Sequence, residues 1–180
     1  AEIAEIEKEC FSRPWSQDAL RSELTNDGAI FLKAVTDGEV SGYIGMHIIL
    51  DECYIANIAV KNKFRRRGIG ESILYSAEKE ALNKGCSFIS LEVRVSNTPA
   101  ISLYEKHGYT SATKTNHYNK SVKNSGHCNV SPVFRYMPTI LNKFAQISGK
   151  PKQSFNRAQL RHTHTPIFIY RDIDSKITGF

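Results

Sequence analysis

Ile55-Ala56-Asn57-Ile58-Ala59-Val60 is followed by Lys61-Asn62-Lys63-Phe64 and then by Arg65-Arg66-Arg67-Gly68-Ile69-Gly70-Glu71. The first six residues are mostly apolar and partly β-branched, as in a buried strand. The polar link turns the chain, and a helical period starts near Ile69. Two glycines one residue apart at a strand-to-helix turn let the backbone come close to a ligand. The first N–H groups of the helix have no partner within it and sit at the positive end of its dipole. The stretch therefore reads as a site for a phosphate or pyrophosphate, with charge added by Arg65, Arg66 and Arg67. On its own, R-x-x-G-x-G reads equally well as a basic turn between strand and helix, so the surrounding chain decides.

Upstream, residues 2–10 read as a helix with Ile3 and Ile6 on one face and Glu2, Glu5, Glu7 and Glu9 around the rest. Pro14 breaks that pattern, and Ser16 is placed to cap a second helix carrying Leu20 and Leu24, with Asp18 in its first turn. Trp15 reads as a hydrophobic plug that staples the two helices. Residues 29–35 and 40–50 read as strands joined by an Asp37-Gly38 hairpin turn, and Asp51-Glu52 leads into a strand over 53–60. These three strands form an antiparallel meander. Gly42 and Gly45 inside the second one point to close backbone approach or a bulge.

Downstream, residues 70–84 carry an apolar stripe of Ile73, Leu74, Ala77, Ala81 and Leu82, with Gly85 placed as the C-cap. Residues 86–93 read as a buried strand. Asn97 or Thr98 caps a short helix with Pro99 in its first turn, carrying Ile101, Leu103 and Tyr104 and ending at His107-Gly108.

Four stretches in this order carry a resemblance: Phe11-Ser12-Arg13-Pro14-Trp15-Ser16, Asn57-Ile58-Ala59-Val60, the turn from Arg65 to Glu71, and Leu91-Glu92-Val93-Arg94 through Asn97 to Leu103-Tyr104-Glu105. Together they resemble the Gcn5-related N-acetyltransferases (GNAT), and among these the RimI group, which acetylates the amino-terminal alanine of a small-subunit ribosomal protein. The resemblance covers about residues 1–109. It implies an α/β (α+β) fold, a mixed and mostly antiparallel sheet flanked by helices, in a domain over residues 1–118. It also implies acetyl-CoA as co-substrate and a ribosomal-protein N-terminal peptide as partner. In the family a strand precedes the first helix; it is missing here, which would leave a sheet edge unpaired. The loop between the first two helices borders the family's peptide cleft, which gives Trp15 a second role as cleft lining.

Acetyl transfer to an amine needs a neutral amine, a polarised carbonyl and a proton for the leaving thiolate. An α-amine titrates at about 7.7–8.0, so at neutral pH it needs a base. Glu92 shares its strand face with Phe88 and Ser90, opposite Ile89, Leu91 and Val93. A carboxylate in a partly apolar cleft has a raised pKa; from the residues alone, a solvated strand carboxylate fits as well. By the resemblance, Glu92 is the proton acceptor and Tyr104 the donor to sulfur, with Asn97 a cofactor contact as well as a helix cap. It also implies that Ile58, Ala59 and Val60 pair with the pantetheine arm through their backbone, and that Arg66, Arg67, Gly68, Ile69, Gly70 and Glu71 supply the pyrophosphate N–H groups. No cysteine is placed for a covalent acyl-enzyme. An acetyltransferase for another protein N-terminus or a small amine, or an inactive cofactor-binding or ribosome-associated relative, are the alternatives.

The net charge of +6 is divided unevenly: residues 1–109 hold 13 Lys+Arg against 16 Asp+Glu, and residues 110–180 hold 11 against 2. Residues 119–180 are thus a basic segment whose closing-strand motif cannot be found, and Lys114-Thr115-Asn116-His117-Tyr118 is a faint echo of a family strand one position early. Two readings stand for it. One is an extension that binds ribosomal RNA through phosphate contacts; the other is the product of a reading-frame change near residue 110 or later, which leaves the sheet short of its last strands. Cys10, Cys53, Cys86 and Cys128 form no C-x-x-C pair, and Cys53 and Cys86 read as small buried side chains, which fits a reducing cytoplasm. The six histidines give no metal constellation; His162 and His164 read as solvated, and His47 as an ordinary strand residue. No apolar run reaches the roughly 18 residues of a membrane span. The chain begins at Ala1 rather than methionine, which fits a processed or incomplete end.

Overall fold

The structure, a computed structural model, describes residues 2–111, 130–137 and 167–171. Helices α1 (Glu2–Cys10) and α2 (Gln17–Leu24) precede strands β1 (Ala29–Thr36), β2 (Glu39–Ile49) and β3 (Glu52–Val60). A 3-10 turn (Asn62–Phe64) leads to α3 (Ile69–Asn83), then β4 (Phe88–Arg94), α4 (Thr98–Lys106) and β5 (Thr110–Ser111). Two further strands, β6 (Val130–Tyr136) and β7 (Phe168–Arg171), complete the sheet, whose order is β5-β6-β4-β3-β2-β1-β7. Among the described strands only β3 and β4 pair parallel, through the α3 crossover; the other pairs are antiparallel.

Local chemistry accounts for the well-read elements. The Ser16 side chain accepts from the Ala19 N–H at 3.1 Å, capping α2. Asp37 and Gly38 both have positive φ, 54° and 78°, as a type I′ hairpin turn requires. Helix α3 ends in a Schellman motif: the N–H of Gly85 (φ 79°) bonds the Leu82 carbonyl and that of Cys86 bonds Ala81, each at 3.0 Å.

The sheet carries one core on each face. Between the sheet and α3 and α4, the core is formed by Ile44, Met46, Cys53, Ile55, Ile73, Leu74, Ile89, Leu91 and others; between the sheet and α1 and α2 it is formed by Ala4, Ile6, Leu20, Phe31, Tyr43 and Ala59. Trp15 is half-buried against the second core, as a plug would be. Cys53 and Cys86 are fully buried free thiols.

Three readings need correction. Leu82 is 38% exposed and Ile69 takes the expected place in the α3 stripe, because the stripe runs 69, 73, 77, 81 and Leu82 falls one residue past it. Glu7 is fully buried, not on the solvent side of α1. The outer edge of β1 is paired over Leu32 to Val35 by β7, so the missing first strand does not leave it open.

The boundary expected at residue 118 is not an edge of the sheet, since β6 and β7 both come from beyond it. Val133 and Met137 are buried in the α3-side core, and β6 pairs with β4 along its whole length. Pro132, which has no N–H, hides this strand from sequence reading. Among the described residues β5 pairs only with Val133 and Phe134, so β6 has no described partner on that side at Pro132, a position where the missing N–H is tolerated. The Lys114 to Tyr118 echo, Cys128, His162, His164 and, apart from residues 130–137 and 167–171, the rest of the basic segment lie outside the described residues.

Candidate active site

Strands β3 and β4 run side by side from Glu52/Phe88 to Ile55/Leu91 and then part. On its other flank β3 carries a bulge at the same level: Gly45 pairs with Asn57 and Met46 with Ile55, so Ala56 is the extra residue. A bulge bends its strand and increases the twist, which turns β3 away from β4 here. Gly45 permits the packing around it, since a Cβ there would meet the Phe31 ring at 2.8 Å. Beyond the bulge the Lys61 N–H bonds the Ser41 carbonyl at 2.9 Å. By the alternation of an antiparallel ladder, Ala59 also faces β2, and the N–H and C=O of Ile58 face the side that β4 has left. The Val60 carbonyl, on that same side, already accepts from Arg65 Nε at 3.0 Å.

A cleft of about 890 Å³ follows this open edge from the start of α3 to Tyr104, along Ile58, Val60, Gly68, Gly70 and Asn97. At its α3 end the first helical bond is Ser72 N–H to Gly68 O at 3.0 Å, so the N–H groups of Ile69, Gly70 and Glu71 have no partner inside the helix. Gly68 has φ 81° and Arg66 φ 64°. Arg65 and Arg66 line the cleft, whereas the Arg67 side chain lies over the Phe64 ring, 5.5 Å from its centroid. Glu71 also lines the cleft and is paired with Lys106 Nζ at 2.8 Å. An open strand edge leading to a helix N-terminus with two arginines suits a long, thin ligand ending in phosphates.

A second lobe, about 400 Å³, opens on the α1–α2 side of the sheet between Phe11 to Arg13, Tyr54 and Asn57 of β3, and Glu92 and Arg94 of β4. The two lobes share Cys10, Phe11, Ile58, Asn97 and Tyr104. Glu92 is exposed on the strand face opposite buried Ile89, Leu91 and Val93. Beside it, burial and then the Glu92 charge push the Tyr54 hydroxyl above its ordinary value. Tyr104 is buried in the wall common to both lobes, and desolvation pushes it up to about 12. Asn97 caps α4, its side chain accepting from the Ala100 N–H at 3.4 Å, and lines both lobes. Phe11 to Arg13, rather than Trp15, form the loop wall of the lobe.

Two features escaped sequence reading. Cys10 reaches the junction of the lobes, its Sγ 3.5 Å from the Val60 carbonyl and 3.7 Å from Arg65 Nη2. Burial raises this thiol despite the lowering by Arg65, which keeps it a poor nucleophile. The other is a buried polar network. Glu7 accepts from the Tyr43 hydroxyl, from Asn57 Nδ2 at 3.0 Å and from the Trp15 N–H at 2.7 Å. Burial, and then Glu7, push the Tyr43 hydroxyl far above its ordinary value, so it keeps its proton. The signal was present: Ile3, Ile6, Glu7 and Cys10 have the i, i+3, i+4, i+7 spacing of an inward stripe.

The profile of the acetyltransferase (GNAT) family matches residues 1–109. A Bacillus subtilis protein, named as a candidate ribosomal protein bS18-alanine N-acetyltransferase, is 41% identical over 107 residues, 59% of this chain and 71% of that one. The ribosomal protein bS18-alanine N-acetyltransferase of Salmonella typhimurium is 34% identical over 116 residues, 63% of this chain and 76% of that one. Among solved structures, the ribosomal-protein-S18-alanine N-acetyltransferase of Escherichia coli superposes with a TM-score of 0.60 at 27% identity, over 74% of this chain and 83% of that one. The PaiA N-acetyltransferase of Thermoplasma acidophilum, solved with coenzyme A, shares the fold with a TM-score of 0.61 at 20% identity, over 76% of this chain and 91% of that one.

Proposed function

The chain belongs to the acetyltransferase (GNAT) family, whose co-substrate is acetyl-CoA, and we propose that it acetylates the amino-terminal alanine of a small-subunit ribosomal protein. The observation that carries this reading is the parting of β3 from β4 after Ile55/Leu91, which joins a phosphate-suited cleft to a second lobe holding Glu92. The names of the bS18-alanine N-acetyltransferases it resembles favour that acceptor.

In this reading Ile58, Ala59 and Val60 border the pantetheine arm, with Ile58 offering its free N–H and C=O. The backbone from Arg66 to Glu71, Arg67 by its N–H only, holds the pyrophosphate, and Asn97 borders the arm from the α4 side. When bound, acetyl-CoA supplies the activated thioester. Glu92 takes a proton from the acceptor amine, either directly or through one water. The Tyr104 hydroxyl holds the proton that the departing sulfur needs; a thiolate whose thiol titrates near 8.5 is a weaker base than a phenolate, so the transfer runs uphill and the phenolate takes its proton back from solvent at the end of each turnover. The amine attacks the thioester directly, with no acyl group on the chain.

The test is calorimetric binding of acetyl-CoA to the full chain, followed by a panel of alanine-starting peptides, other N-terminal peptides and small amines. Binding, with transfer to alanine-starting peptides above the rest, is the expected result. Preferred transfer to small amines would overturn the acceptor assignment, and failure to bind acetyl-CoA would overturn the cofactor site.

A further inference from the structure

Glu7 has no exposure, and nothing in the acetyl transfer outlined above uses it. A buried carboxylate persists only where hydrogen bonds replace its hydration. Here the Tyr43 hydroxyl, Asn57 Nδ2 and the Trp15 N–H all donate to it. Asn57 Nδ2 also lies 3.3 Å from the Tyr43 oxygen. That hydroxyl has one proton and gives it to Glu7, so toward Asn57 it can only accept. Both contacts therefore require the amide nitrogen of Asn57, and the orientation of the amide is set by its partners. Its other end, Oδ1, is turned away from the network.

Asn57 lines the lobe that also holds Tyr54 and Glu92. It reaches that face only because of the bulge at Ala56. Strict alternation from Cys53 and Ile55 would have put Asn57 in the α3-side core.

We infer that Asn57 Oδ1 accepts a hydrogen bond from the attacking amine of the acceptor, and that Glu7 and Tyr43 are positioning residues that hold the Asn57 amide in that orientation. The inference rests on the proposed reading of this lobe as the place of an α-amine. A neutral oxygen is well suited here, because it orients an N–H while favouring the ammonium form less than a second carboxylate would. With Asn57 holding one N–H and Glu92 taking the proton, the nitrogen lone pair is left to face the thioester.

The experiment is steady-state kinetics with an alanine-starting peptide, beside acetyl-CoA calorimetry, on the wild-type chain, Asn57→Ala, Tyr43→Phe and the double variant. Asn57→Ala is expected to lower kcat/KM for the peptide about tenfold, with acetyl-CoA affinity changed less than about twofold. Tyr43→Phe is expected to lower it less, and to add nothing in the Asn57→Ala background, because it acts through Asn57. Unchanged peptide kinetics in Asn57→Ala, or losses that simply add, would overturn the inference. Should Asn57→Ala not fold, Asn57→Ser keeps the comparison, with the same outcomes deciding. A wild-type chain that binds acetyl-CoA yet acetylates no α-amine overturns instead the functional reading underneath.

Discussion

Glu92 and Tyr104 differ in environment, and their proposed roles follow from that difference. Glu92 is exposed in the smaller lobe, where a proton taken up in its proposed role can pass on to water. Tyr104 is buried in the shared wall, where it is pushed up to about 12. Its folded value lies above the ordinary 10.0, so stability held below pH 10.0 is lost as the pH rises toward 12, and the phenol stays protonated throughout the neutral range. Glu92→Gln is expected to lower kcat by about 100-fold with acetyl-CoA affinity nearly unchanged. Tyr104→Phe should do likewise, and stopped-flow turnover beside calorimetry reads both. Unaltered turnover in either variant removes that residue from the mechanism.

At the scale of the element, the turn into α3 separates two glycines that look alike in sequence. Gly68 has φ 81° with nothing within 4 Å of a would-be Cβ, so its requirement is conformational. Gly70 sits in helical backbone, where a Cβ would make ordinary contact with Leu103 Cδ2 at 3.6 Å and Val60 Cγ2 at 3.8 Å. Gly68→Ala should therefore cost about 1–2 kcal/mol of stability. Gly70→Ala should stabilise by up to about 1 kcal/mol, yet weaken acetyl-CoA binding if the ligand comes close to the backbone there. Urea melts and calorimetry on the two variants separate these effects. A Gly70→Ala chain that binds acetyl-CoA as tightly as wild type would show that no close approach occurs at that position.

For the molecule as a whole, β6 ties a segment from beyond residue 118 into the core. Val133 is 6% exposed, and Arg135 Nη1 reaches the buried Glu78 of α3 at 2.5 Å, where Glu78 also meets His107 Nδ1 at 3.2 Å. Val133→Asp is expected to destabilise the fold by about 3 kcal/mol or more, since it removes apolar burial and buries a charge. Denaturant unfolding checks this. A silent substitution would mean that the domain closes near residue 118 without β6.

The caps, turns and helical period were legible because they are encoded among near neighbours: Ser16 and Asn97 at helix starts, Asp37-Gly38 at φ > 0, and Gly85 past the end of α3. Together with the ordered motifs around Asn57, Gly68, Glu92 and Tyr104, they were enough to indicate the family and to name residues that line both lobes of the candidate site. What they could not carry depends on residues far apart in the chain. The bulge at Ala56 arises where Gly45, beneath the Phe31 ring, pairs with Asn57 while Met46 pairs with Ile55, and it decides which face Asn57 takes. The burial of Glu7 needs donors from β2, β3 and the α1–α2 loop at once. The flanks of β4 and β1 are filled by β6 and β7, whose short or proline-bearing runs become strands by pairing with the backbone that β4 and β1 present to them. Local order is a property of sequence neighbours, whereas pairing and burial are settled by which distant groups satisfy each other's hydrogen bonds.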